Sequence, residues 1–207
     1  MKVPNRGYRQ SARALAAEET ARQIIGAFAA CMRTDWFDAI TVETVAQRAG
    51  VTPRTVIRRF GGKAGLLGAF VADFVREADQ RREAKPGDVA GAVASVIALY
   101  EEWGDGVIRN LAQESRFPAL KPLLDAGRRR HRETTATVYA AWLDPLPAAR
   151  RQRLLDALVA ATDVYVWQLL RRDLDRPRGE VEQVVRTLVE ATLAHAEADR
   201  TRRRKKA

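Results

Sequence analysis

The stretch Thr41–Lys63, TVETVAQRAGVTPRTVIRRFGGK, constrains this chain more than any other. Val42, Val45, Ala46 and Ala49 recur at helical spacing, so one face of a short helix turns inward. Ala46 is small where two helices must cross closely. Gly50 follows, where a sharp turn needs a positive φ at little cost. Val51 fills the corner. Thr52 is placed to cap a second helix, and Pro53 takes its first position, where the missing N–H is harmless. Val56 and Phe60 lie four apart on the inner side of that helix. Arg54, Thr55, Ile57, Arg58 and Arg59 are left for its other faces. This is the pattern of a helix-turn-helix, and its second helix bears side chains suited to phosphates and guanine edges. An ordinary helical hairpin inside a core has no reason to carry so basic an outer face.

The flanking sequence sharpens the assignment. A first helix is expected through AEETARQIIGAFAACM, then DWFDAITVETVAQRAGV, the second helix of the turn, and FGGKAGLL. Over about residues 15–75 this resembles the tetracycline-repressor (TetR) family of bacterial transcriptional regulators. The resemblance implies an N-terminal three-helix DNA-binding domain and a fourth helix opening with lysine, here Lys63. It departs from the family in two places. Ile57 stands where the family usually has an aromatic, most often a tyrosine that contacts a phosphate; isoleucine instead suits a thymine methyl. Gly61, Gly62 and Gly65 make the start of the fourth helix looser than the usual pattern.

Charge agrees with a nucleic-acid partner. The chain carries a formal net charge of +10 over 207 residues. Residues 1–63 hold 11 Lys/Arg against 5 Asp/Glu, whereas residues 64–199 hold 19 against 21. The basic excess coincides with the helix-turn-helix, which favours phosphate binding. Arg54, Thr55, Ile57 and Arg58 are expected to face the major groove, with Pro53 at the helix start and Arg54 the foremost candidate for a bidentate guanine contact. Thr41, Thr52, Thr55, Arg59 and Lys63 are expected to fix the register on phosphates.

Other classes find little support. The histidines are His131 and His195, and neither belongs to a metal-ligand or catalytic spacing. There is no G-x-S-x-G, P-loop or dinucleotide fingerprint, so no enzyme, cofactor or metal is expected. The single cysteine, Cys31, excludes an internal disulfide and reads as a half-buried thiol. No apolar run approaches the length that crosses a membrane, and MKVPNRGYRQ lacks the apolar core of a secretory signal. The expected location is the cytoplasm.

Helix-period patterns run through the rest of the chain, and no alternating strand stands out, so the fold class is all-α with about nine helices. Residues 1–14 read as a flexible basic arm, 15–62 as the DNA-binding domain, 63–85 as a connecting helix, 86–199 as a ligand-binding and dimerisation domain, and 200–207 as a basic disordered tail. Within the body, one helix is expected over about Val89–Trp103, broken by Gly104, Asp105 and Gly106, with a short one to Gln113. Another is expected from about Pro118 to Leu143, one from Ala148 to Leu174, and a last one after DRPRGE. By resemblance, the last two long helices pair with those of a second copy in a four-helix bundle. Two recognition helices spaced by about one helical turn of DNA, roughly 34 Å, then read a palindromic operator.

The resemblance also implies a small-molecule cavity in the body, for which Tyr100, Trp103, Asn110, His131, Thr134, Tyr139, Asp163 and Trp167 are the candidates. The chain is therefore expected to be a homodimeric repressor, released from its operator by an effector. The alternatives are an effector-independent DNA-binding protein, or a helical enzyme or adaptor that keeps a relic DNA-binding domain.

Overall fold

The computed structural model describes residues 6–80 and 85–204, and among these every regular element is helical. The N-terminal part comprises α1 (Arg6–Thr34), a 3-10 turn at Phe37–Ala39, α2 (Val42–Arg48), α3 (Pro53–Phe60) and α4 (Lys63–Gln80). Its core is the inner stripe of α1, namely Ile24, Phe28, Cys31 and Met32, packed on Val45, Val56, Leu66 and Phe70. Phe28 meets Phe70 edge-on at 5.9 Å between ring centroids. This core does not end at α4. Leu120, Leu123 and Leu124, from the chain beyond residue 117, complete it, and Phe117 lies edge-on to Phe37 at 5.5 Å.

The body comprises α5 (Val89–Gln113), a 3-10 turn at Pro118–Leu120, α6 (Lys121–Val138), α7 (Ala140–Leu143), α8 (Ala148–Ala161), α9 (Val164–Gln168) with a π-helical continuation over Leu169–Asp173, and α10 (Arg178–Arg204). A second core joins Val93, Ile97 and Tyr100 of α5 to Leu143, Leu158, Trp167 and the inner stripe Val181, Val185, Val189 and Leu193 of α10. None of the described helices is long and apolar enough to cross a membrane.

Three interior boundaries differ from the sequence-based expectation, as do both termini. Gly104 and Gly106 do not break a helix; α5 runs through both. A Cβ on Gly104 would come within 2.4 Å of the Trp167 ring, and one on Gly106 within 2.9 Å of the Met32 carbonyl oxygen. The glycines are there for close approach, of an indole on one side and of the α1 backbone on the other. The expected helix to Leu143 is interrupted at Tyr139 (φ −99°, ψ 19°), and the Gly87 N–H donates to the Val138 carbonyl there at 2.8 Å. The expected helix over Ala148–Leu174 is interrupted at Asp163, whose carboxylate accepts from the Tyr165 N–H at 3.0 Å and caps α9. At the termini, α1 begins at Arg6, so residues 6–14 of the expected arm are helical, and α10 carries the expected tail as helix to Arg204. Residues 1–5 and 205–207 lie outside the described residues, as do 81–84 of the expected connecting segment.

Several large apolar side chains remain uncovered on the body. Tyr165, Leu169 and Leu174 are exposed along α9 and its continuation, and Val184 and Leu188 lie one turn apart on the outer side of α10.

The two kinds of helical glycine should respond oppositely to alanine. Gly104→Ala gains helix propensity but drives a methyl into Trp167, and overpacking of this kind costs about 1–3 kcal/mol. Gly127→Ala in α6 meets nothing within 4 Å and should stabilise by about 0.5–1 kcal/mol. Urea unfolding of the two variants checks the signs.

Candidate DNA-binding surface

The helix-turn-helix is built by backbone chemistry that can be followed residue by residue. Thr41 caps α2, its Oγ1 accepting from the Thr44 N–H at 3.1 Å. Val45 and Ala46 of α2 are fully buried. Gly50 adopts φ +65°, and the Val51 N–H returns to the Ala46 carbonyl at 3.0 Å, which closes the turn. Thr52 caps α3 through the Thr55 N–H at 3.3 Å, and Pro53 occupies the first turn. Val56 is the buried anchor of α3. At its far end Gly61 takes φ +74° and its N–H donates to Ile57 O at 2.8 Å; Gly62 follows at φ +115°.

The glycines after α3 thus do not loosen the start of α4. Two supply positive φ, and Gly65 permits contact: a Cβ there would lie 1.6 Å from the Phe60 carbonyl oxygen. Together they fix the angle between the recognition helix and α4.

The outer face of α3 is solvent-facing and carries unpaired charge. Arg54, Arg58 and Arg59 are exposed, and none has a hydrogen-bond or ion-pair partner among the described residues. Several arginines of the body are engaged. Arg128 holds Glu114 at 2.6 Å, Arg132 holds Asp156 at 2.8 Å, and Arg172 holds Asp105 at 2.9 Å. Arg33, at the end of α1, bridges to Glu102 at 3.2 Å. Ile57 stands 53% exposed among the arginines, with no internal packing to account for it. Thr55 is half-buried, and its hydroxyl lies 3.0 Å from that of Thr52.

Lys63 differs from the other expected phosphate contacts. Its ammonium donates to the Phe37 carbonyl oxygen and sits 4.1 Å from the Phe37 ring centroid. Burial holds its pKa below the usual lysine value, against the opposing pull of Asp38. Lys63 therefore ties the start of α4 to the turn between α1 and α2. Cys31 is fully buried rather than half-buried, and burial pushes its thiol pKa up.

Of the residues expected to line a small-molecule cavity, Tyr100, Asn110, Tyr139 and Trp167 are buried in the body, and Trp103, His131, Thr134 and Asp163 are half-buried. The Tyr100 hydroxyl donates to Thr162 O at 3.1 Å, and burial raises its pKa far above the ordinary value. Tyr139 is buried beside Trp142, with a pKa pushed up to about 12 by desolvation. Trp167 is fully buried, and its indole N–H donates to Glu101 at 2.9 Å. His131 Nε2 lies 3.2 Å from the Thr162 hydroxyl, and Asp163 is the cap of α9. Trp103 stacks on Phe70 and receives Arg33 over its ring at 5.1 Å. Thr134 is half-buried on α6, and Asn110 is buried on α5. None of these eight lines the space between the Trp36–Ala39 turn and the end of α5, or that between α5 and α10. One cavity lies where the turn before α2 meets the end of α5; the other is a small space of about 180 Å³ between α5 and α10.

The caps should be measurable on their own. Thr52→Ala removes the side-chain acceptor for the Thr55 N–H, and loss of such a cap costs about 0.5–2 kcal/mol. Differential scanning calorimetry should show a lower Tm, while Thr52→Asp should keep it close to the parent value.

Residues 26–70 match the family model described as bacterial regulatory proteins, tetR family. A solved structure from Mesorhizobium loti MAFF303099, assigned to the TetR family of transcriptional regulators, superposes with a TM-score of 0.68. It shares 21% identity, and the alignment covers 86% of this chain and 96% of that one. No curated protein gives a significant match. Residues 26–70 of the chain are thus similar to bacterial regulatory proteins of the tetR family, and the chain as a whole shares the all-helical fold of the Mesorhizobium loti structure.

Proposed function

We propose that this protein is a sequence-specific, homodimeric transcriptional repressor that binds a palindromic operator in the cytoplasm and is released by a small molecule. The observation that carries the DNA-binding part is the face of α3, where Arg54, Arg58 and Arg59 stand together, exposed and without a partner among the described residues, beside an exposed Ile57. Unpaired guanidinium groups on a capped, rigid helix are free to meet phosphates and guanine edges without first breaking a salt bridge. Arg54, Thr55, Ile57 and Arg58 face the major groove in this reading. Thr41, Thr52 and Arg59 meet phosphates at the two helix starts and along the flank of α3. Lys63, already engaged with Phe37, acts by orienting the turn.

Dimerisation rests on the uncovered side chains of α9 and α10. Tyr165, Leu169, Leu174, Val184 and Leu188 form an apolar surface that a second copy would bury about a two-fold axis. Release by an effector is supported by continuity of the N-terminal core with Leu120, Leu123 and Leu124, which transmits movement of the body to the DNA-binding helices. The packed interior around Tyr100, Tyr139 and Trp167 favours a second reading, a regulator that binds DNA without an effector.

On a selected operator, Arg54→Ala should lose roughly 1–3 kcal/mol and relax specificity at one base pair. Arg59→Ala should weaken all operator variants alike and lower the salt slope by about one. Identical behaviour of the two across operator variants contradicts the division of roles. Leu188→Glu, on an exposed position, should give a helical monomer in sedimentation equilibrium; an unchanged dimer rules out the α10 interface.

A further inference from the structure

α3 is a short helix with both ends fixed, by the Thr52 cap and Pro53 at its start and by Gly61 at its end. Val56 and Phe60 turn inward, Val56 fully buried and Phe60 packed against the N-terminal core. Arg54 and Arg58, one turn apart, are exposed on the outer side. Beside them stands Ile57, 53% exposed, which belongs to neither hydrophobic core. The Ile57 carbonyl accepts from the Gly61 N–H at 2.8 Å and helps to close the helix, a contact that any residue could make. A β-branched side chain is also a weaker helix former than Arg or Leu, so local stability does not favour isoleucine here. The exposed apolar residues of the body gather along α9 and α10, whereas Ile57 stands alone among charges.

What an isoleucine can recognise on a duplex is narrow. In the major groove, guanine, adenine and cytosine present hydrogen-bonding groups, and thymine adds the C5-methyl, the one apolar group among the four base edges. 5-Methylcytosine carries the same methyl at the same ring position. An isoleucine neither donates nor accepts, so against N7, O6 or an exocyclic amine it strips water and returns nothing. Against a phosphate the loss is larger. Against a C5-methyl it buries carbon on both sides. Side chains three apart on a helix lie about 5–6 Å from each other at Cβ, and base pairs stack about 3.4 Å apart, so a base met by Ile57 lies within about two base pairs of one met by Arg54.

We propose that Ile57 reads the C5-methyl group of one pyrimidine in each half-site, so that the protein distinguishes thymine from uracil, and 5-methylcytosine from cytosine, at that place. The inference rests on the preceding reading, in which α3 enters the major groove, and adds to it the chemical group that Ile57 requires. Arg54 and Arg58 hold α3 in the groove, and Ile57 supplies discrimination. Operator affinity then depends on base methylation as well as on base sequence. Where a half-site carries cytosine at this place, methylation at C5 strengthens binding without altering a base pair.

The test uses an operator selected by the full-length protein from random duplex DNA, with Kd measured by fluorescence anisotropy. Each thymine is replaced in turn by uracil, which removes the methyl alone. Burial of one methyl group sets the expected scale: uracil at the Ile57 position should weaken binding about fourfold in one half-site and about fifteenfold in both. Cytosine and 5-methylcytosine placed at the same position should differ by a similar factor, the methylated operator binding more tightly. Ile57→Ala, at an exposed position, should bind the thymine and uracil operators alike, and Ile57→Val should keep part of the difference. The proposal is overturned if no thymine-to-uracil change weakens binding, if 5-methylcytosine binds no better than cytosine, or if the preference survives in Ile57→Ala. A protein that enriches no operator overturns the preceding reading and this one with it. One that holds a selected operator but is indifferent to the methyl overturns this inference alone.

Discussion

The close crossing of α1 and α5 governs the relation between the two halves of this molecule. Gly106 lets the backbone of α5 approach the carbonyls at the end of α1 more closely than any side chain would permit. Arg109, one turn on, donates to the Arg33 carbonyl oxygen, one of the acceptors that a helix C-terminus leaves unsatisfied. Arg33 in turn holds Glu102 and lies over Trp103. Backbone contact, carbonyl capping and ion pair converge on a single crossing. The DNA-binding helices are therefore set on the body by a rigid joint, and the shared core at Leu120, Leu123 and Leu124 reinforces it. In the dimer proposed above, such a joint would hold the two α3 helices at a fixed spacing.

Charge is distributed to match. One cluster of body arginines is held by neighbours: Arg171 and the Trp167 indole share Glu101, and Arg172 lies over Trp167 while holding Asp105. That network braces α9 and its π-helical continuation against α5, on the side of the body that leaves Tyr165 and Leu169 uncovered. Ion pairs of this kind add little stability each at an exposed surface, but several around one indole fix a geometry. On α3 the opposite holds, and the guanidinium groups point to solvent without partners.

The helix-turn-helix was legible in the sequence because its rules are local. Thr41, Gly50, Thr52 and Pro53 act through their own backbone or that of residues three or four away, and their spacing states their role. The all-helical class followed from periodicity for the same reason. What sequence could not convey was set by partners distant along the chain. Gly104 and Gly106 look like helix breakers until Trp167 and the end of α1 are seen to occupy the space a side chain would take. Lys63 gives no sign in the sequence of its contact with Phe37, 26 residues away. The helix break at Asp163 was legible in the sequence. An acidic residue after threonine at the head of an apolar run is a capping signal, and the structure uses it as one. Tyr100, Tyr139 and Trp167 fit a cavity lining as well as a core, and only burial separates the two.

Selection from a pool of random duplex DNA by the purified full-length protein tests the central claim most directly. The account predicts enrichment of an inverted repeat whose half-site centres lie about one helical turn apart, roughly 34 Å, occupied by two protomers. A folded protein that enriches no sequence at low salt, or that binds a lone half-site as a monomer, would contradict it.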